Sequence, residues 1–184
     1  ASLVIGVLSL TGLGVKITSG ILSLSNEMLW PALLLTALAC LVLGMEVPTT
    51  AAYVICVSVA GPALTALGLE PLLAHLFVFW FALLSTITPP VCGGVFIAAG
   101  MVGENWLKVA MKAMALGIGL YIIPLAMVAN PDVIRLAFDP FWAIFDALKI
   151  ALGLVAISYG VIARRAAWLR VLLVVAGALV IFAF

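Results

Sequence analysis

Residues 85–94 read Ser-Thr-Ile-Thr-Pro-Pro-Val-Cys-Gly-Gly and lie inside 71–103, the longest stretch of the chain without a charged side chain. A helix needs about 20 apolar residues to cross a bilayer, so this run is too long for one simple helix. It is also interrupted. Pro89 and Pro90 have no backbone donor, and Gly93 and Gly94 loosen the chain. The reading is a helix at about 72–85, an unwound stretch at 86–93, and a second half-helix to about Ala99. Unwound backbone at membrane depth persists only where protein or a water-lined cavity satisfies its polar groups. The interruption therefore predicts a site rather than a lipid-facing loop.

A second interruption lies upstream. Gly44-Met45-Glu46-Val47-Pro48-Thr49-Thr50 separates the apolar stretches 28–43 and 51–67, each short for a full crossing. A turn at the membrane surface is one reading. The tip is less polar than a surface turn should be, so the favoured reading is a re-entrant hairpin over about 28–67. Gly61-Pro62 should kink its second arm or end it locally.

The rest of the chain sets the context. Of 184 residues, 67% are hydrophobic and 8% charged, against roughly 25% charged in a soluble domain. That composition excludes an ordinary soluble domain and a disordered tail. A net charge of +1 offers no footprint for phosphate, so nucleic acid is not a partner. The surroundings implied are membrane lipid. Uncharged gaps at 28–45, 47–69, 71–103 and 113–131 describe an all-α polytopic membrane protein. A transmembrane barrel would alternate polar and apolar residues.

A first helix is expected over 1–18, followed by a polar break from Thr18 to Glu27. Glu104, Lys108 and Lys112 mark a surface connection. Spans follow at 113–129 and about 140–162, with a final apolar run at 171–184. The chain opens at Ala1 already inside an apolar run, so the expectation is a fragment whose N-terminal part precedes it. Lys and Arg bias toward the cytoplasm puts Arg164, Arg165 and Arg170 inside. Lys108 and Lys112 then fall inside, the 130–139 loop outside, and Lys16 outside as an exception.

Paired broken helices supply a specific chemistry. Each break frees carbonyls for a hard cation, and each half-helix N-terminus offers N–H groups to an anion. Thr and Ser hydroxyls beside the breaks add neutral oxygens. Glu46 is a carboxylate at membrane depth and a functional candidate; it titrates for coupling, ligates a cation, or reaches the vestibule without a role. His75, the only histidine, is read as a hydrogen-bonded interfacial residue in preference to a proton carrier. Asp146 and Lys149 are spaced to pair on one helix face. Cys40, Cys56 and Cys92 fit neither a metal pattern nor a disulfide framework. No nucleophile–base triad and no phosphate-binding glycine loop is visible, so the chain is read as a non-enzyme.

The residues carry a resemblance. GMEVPTTAAY (44–53), GLEPLLAHLFVFWFALLSTITPPV (68–91), AAGMVGENW and YIIPLAMVANP resemble the large membrane subunit of TRAP transporters, in the fused-permease branch served by TAXI-type receptors. The combination PTTAAY, PLxAHLFVF and TPP is specific; TPP alone is weak. The resemblance covers most of 1–131, and 139–184 resembles the variable C-terminal helices of fused permeases. The resemblance implies an elevator-type, Na⁺-coupled importer of organic acids in a bacterial or archaeal inner membrane. A periplasmic solute-binding receptor of TAXI type would deliver the carboxylate.

By position, Gly44, Ser85, Thr88 and Val91 would hold Na⁺, with Thr49, Thr50 and Thr88 holding the substrate carboxylate. Ser85 and Glu46 stand where relatives often have glycine. The resemblance divides the chain into a transport-domain portion, 1–131, and accessory helices, 132–184. The other hairpin, its partner helix and a further Na⁺ site would belong to a missing N-terminal half of the permease. A membrane scaffold without a transport cycle, or a truncated permease inactive alone, are the alternatives.

Overall fold

The computed structural model describes residues 2–45, 47–163 and 166–183. Glu46, Arg164 and Arg165 lie outside them, and so do the readings placed on those side chains. Among the described residues there are ten α-helices, one short 3-10 turn and no strand. They form two compact units, 1–110 and 111–184.

The first unit contains α1 (Ser2–Thr11), α2 (Leu13–Leu24), α3 (Leu29–Leu43), α4 (Thr49–Ala66), α5 (Pro71–Leu84) and α6 (Gly93–Val102). Helix α4 is its axis and packs against α2, α3 and α5. Its buried residues are mostly small: Ala52, Cys56, Ala60, Gly61 and Ala63. Small residues let helix backbones approach closely, which is how helices associate without a hydrophobic driving force from water. Leu33 on α3 and Phe77 and Val78 on α5 fill the remaining core.

Four expectations are corrected here, one of them in part. The first helix does not run unbroken over 1–18. It breaks at Gly12, whose φ of 64° is the left-handed region that favours glycine. Helix α2 then continues through the supposed polar break to Leu24. The polar residues stay helical because their hydroxyls find carbonyls within reach. Thr18 Oγ1 lies 3.0 Å from the Gly14 carbonyl and 2.6 Å from that of Val59, and Ser23 donates to Gly20 at 3.2 Å. The true turn is tighter, at 25–28, where Asn26 and Glu27 both have positive φ.

Of the two outcomes expected at Gly61-Pro62, a kink or a local end, the end is not found in helix α4. It runs through Pro62 to Ala66, since burial of Ala60, Gly61 and Ala63 holds the segment against its neighbours. The third correction concerns Lys108 and Lys112. They lie on helix α7 (Trp106–Leu116), not in a connection. Asn105 starts that helix by accepting the Leu107 N–H at 2.9 Å.

The span read at 113–129 is two helices, α7 and α8 (Ile118–Ala129), bent by 42° about Gly117. By length and composition α4 and α9 (Pro140–Ile162) each suffice to cross a membrane, and the bent α7–α8 pair makes a third. The second unit also holds α10 (Ala167–Phe182) and a 3-10 turn over Pro131–Ile134. Glycines seam α9 to α10. A Cβ on Gly177 would lie 2.6 Å from the Gly153 carbonyl, and one on Gly160 2.9 Å from that of Arg170. Asn130 ties the end of α8 to α10, donating to the carbonyls of Ala126 at 2.9 Å and Ile181 at 3.1 Å. The expected Asp146–Lys149 pair is present at 3.3 Å.

One buried group is unmatched. Thr36 Oγ1 on α3 has no hydrogen-bond partner among the described residues, and its side chain is fully buried. An apolar replacement of the same shape removes that unmet hydroxyl. Thr36→Val is therefore expected to raise thermal stability in detergent, by about 1 kcal/mol. A clear loss would show that the hydroxyl is satisfied by water.

Candidate functional site

The two interruptions meet. Helix α3 ends at Gly44, whose N–H closes the last turn onto the Cys40 carbonyl at 2.9 Å. Helix α5 ends at Ser85, and 85–92 is non-helical before α6 begins at Gly93. The unwinding has a direct cause. In a continued helix the Ser85 and Thr86 carbonyls would be closed by the N–H groups of residues 89 and 90, and both are proline. The second break is thus legible atom by atom: two prolines free two carbonyls.

Ser85 Oγ lies 3.0 Å from the Gly44 carbonyl and 2.6 Å from that of Ala82. One hydroxyl hydrogen serves two acceptors, so it is shared or alternates between them. Ser85 is fully buried. The fit leaves no room on the opposite side. A Cβ on Gly44 would lie 2.6 Å from Ser85 Oγ and 3.0 Å from Ser85 Cβ. Gly44 has φ −85°, which any residue adopts, so glycine stands here for space and not for conformation.

The electrostatics follow from helix direction. Gly44 and Ser85 both lie at helix C-termini, the negative ends of two dipoles. Two such ends in contact repel unless a donor or a cation lies between them. In this structure the donor is the Ser85 hydroxyl. The following helices, α4 and α6, begin with no side-chain cap, leaving first-turn N–H groups of the kind that receive an anion.

The remaining sequence-derived residues are placed as follows. Thr88 is half-buried, and its hydroxyl donates to the Leu84 carbonyl at 2.7 Å, spanning the first turn of the unwound stretch. Val91 and Thr49 are half-buried; no described hydrogen bond links either to Gly44. Thr50 is exposed and lines a cleft of about 500 Å³ between α4 and α5, whose lining does not include Gly44, Ser85 or Thr88. His75 lines the same cleft, and the Tyr53 hydroxyl lies 2.7 Å from its Nδ1. The hydrogen-bonded reading of His75 is the one observed. Glu46 lies outside the described residues.

Two contacts escaped the sequence reading. Thr18 joins α2 to the carbonyl of Val59, and Cys56 Sγ lies 3.8 Å from the Cys40 carbonyl across the hairpin. Neither spacing carries a signal in one sequence, because both join residues far apart in the chain through tertiary packing.

No curated protein sequence and no solved structure matches the chain. The model of one family, described as "Tripartite ATP-independent periplasmic transporter, DctM component", matches residues 1–142. The match covers both interruptions and the helices that frame them, and an all-helical, apolar chain with two to three candidate spans accords with it. The chain belongs to the DctM component family of tripartite ATP-independent periplasmic transporters, as a membrane transporter component and not an enzyme.

Proposed function

We propose that the chain is part of a Na⁺-coupled secondary transporter that imports carboxylates by an elevator movement. In this reading residues 1–131 supply the second hairpin and second unwound helix of the transport domain, and 132–184 are accessory helices. The relevant branch is the fused permease served by TAXI-type receptors, in a bacterial or archaeal inner membrane. A periplasmic solute-binding protein hands over the organic acid, as transporters of this family normally work with such a receptor and a small membrane component.

The single observation carrying this reading is the buried meeting of two helix C-termini at Gly44 and Ser85, 3.0 Å from carbonyl to hydroxyl. A cation entering there takes the Gly44 carbonyl and the carbonyls freed at the unwound stretch, with Ser85, Thr88 and Val91 completing the oxygen set. It offsets two negative dipole ends at once and draws the hairpin tip onto the unwound helix. The uncapped N-termini of α4 and α6, with the hydroxyls of Thr49, Thr50 and Thr88, then receive the substrate carboxylate. Glu46 is a candidate for coupling or for ligating the cation; an anion beside a carboxylate site would repel substrate, which argues against direct substrate contact.

The test is uptake into proteoliposomes by the assembled transporter with its receptor, as Na⁺ is varied. Thr88→Ala removes a hydroxyl from both the cation and the substrate set. The expected result is a rise of about ten-fold in the Na⁺ concentration for half-maximal uptake, the loss of one good oxygen contact. An unchanged Na⁺ dependence would remove Thr88 from the ion site.

A further inference from the structure

The second unit carries an arrangement outside the proposed ion site. Helix α9 ends at Ile162, and Arg170 in the first turn of α10 reaches back to it. Its Nε–H donates to the Gly160 carbonyl at 3.0 Å and an Nη2–H to the Val161 carbonyl at 2.9 Å. The guanidinium thus sits on the negative end of α9, which fixes its position. Gly160 makes this possible, since a Cβ there would lie 2.9 Å from both the Arg170 carbonyl oxygen and Val174 Cγ2.

Of the five N–H donors of arginine, two are used in this way among the described residues. The others remain for an acceptor, and the Nη2 end is exposed. Beside the guanidinium opens a cleft of about 300 Å³, walled by Ala167, Val171, Val174 and Val175. Val171 and Val175 are at least half exposed. No Asp or Glu follows Asp146 in the chain, while the sequence puts Arg164 and Arg165 in the connection between α9 and α10.

We propose that the α9–α10 hairpin binds an anionic phospholipid, its phosphate on Arg170 and an acyl chain along the valine-lined cleft. A planar fork of donors suits a phosphate, and an apolar groove beside it suits a hydrocarbon chain; one amphiphile satisfies both. Basic residues mark the cytoplasmic side, where anionic lipids concentrate. The proposal does not depend on the ion site.

Native mass spectrometry of the assembled transporter, offered phosphatidylglycerol and phosphatidylcholine together, tests it. Wild type is expected to retain phosphatidylglycerol preferentially. Arg170→Gln is expected to lower that retention about five-fold, the effect of one arginine at an anionic surface. Arg170→Lys, which keeps the charge and loses the fork, should fall between. Val171→Trp fills the exposed cleft, leaves the guanidinium in place and should also release lipid. Lys112→Gln removes a cation from another helix and should change nothing.

An equal fall in Lys112→Gln would show that retention follows net charge. Competition by glycerol phosphate as effective as that by the lipid would show a phosphate site without a chain site. Full retention in Val171→Trp overturns the proposal even if the Arg170 variants fail to fold.

Discussion

Gly44→Ala is expected to reduce Na⁺-driven uptake by the assembled transporter about ten-fold or more, and Ser85→Gly on the same chain to restore part of it. The added methyl would meet Ser85 Oγ at 2.6 Å and Ser85 Cβ at 3.0 Å. Contacts that close do not persist, so the hairpin tip and the unwound helix must part. Overpacking of a dense site costs about 1–3 kcal/mol, and each 1.4 kcal/mol is a factor of ten in an equilibrium. Removing the Ser85 side chain clears both contacts. Recovery stays partial, because the Cys40 carbonyl remains 3.0 Å from the new methyl and the Ser85 hydroxyl is gone. The rescue is the informative half. A loss that Ser85→Gly fails to relieve would mean that Gly44 serves something other than this contact. Uptake in proteoliposomes, normalised to reconstituted protein, reads both variants.

The second large effect concerns stability. Asp146 and Lys149 pair on α9, one helical turn apart, with side chains 12% and 11% exposed. Breaking a buried pair by removing one partner destabilises by about 3–5 kcal/mol. Asp146→Leu should therefore lower the unfolding temperature strongly, measured by thermal unfolding in detergent. Replacing both residues, Asp146→Leu with Lys149→Met, removes charge and partner together. Such double replacements are often neutral or stabilising, so the double variant should recover most of the loss. A double variant as unstable as the single one would show that the carboxylate or the ammonium serves another contact in the second unit.

The interruptions were legible because their causes are local. Pro89 and Pro90 remove two consecutive backbone donors, so the helix over 71–84 and the unwound stretch after it lie within a residue or two of expectation. Helices α3 and α4 followed from uncharged length in the same way. The misreadings came where tertiary packing decides. Thr18 and Ser23 look like a polar break, yet their hydroxyls bond to carbonyls and the helix continues through them. Gly12 carries the break instead, and one glycine among many gives no warning of a left-handed φ. Pro62 reads as a kink or a stop, and the helix continues through it along a buried run of small residues.

At the site, the resemblance set Gly44 and Ser85 side by side by position, and the structure brings them to hydrogen-bond distance. What the residues alone did not reveal is the direction of that bond. A serine in the unwound stretch reads as one more oxygen ligand. In the structure its single hydrogen lies within reach of two carbonyls, that of Gly44, which the proposed cation would take, and that of Ala82. In the proposed site a bound cation would hold that hydrogen on the Ala82 carbonyl, 2.6 Å away, so that the oxygen presents a lone pair to the ion. The switch is small and buried.

The most direct measurement is a cryo-EM comparison of the assembled transporter in Na⁺ and in choline at matched ionic strength. In Na⁺ the expected result is density for an ion between the Gly44 carbonyl and Ser85 Oγ, which move apart from their 3.0 Å contact while Ser85 keeps its hydrogen bond to Ala82. In choline the direct Ser85–Gly44 hydrogen bond should remain, with no ion density beside it. Maps in which that bond is unchanged by Na⁺ and no ion lies between the two helix ends would contradict it.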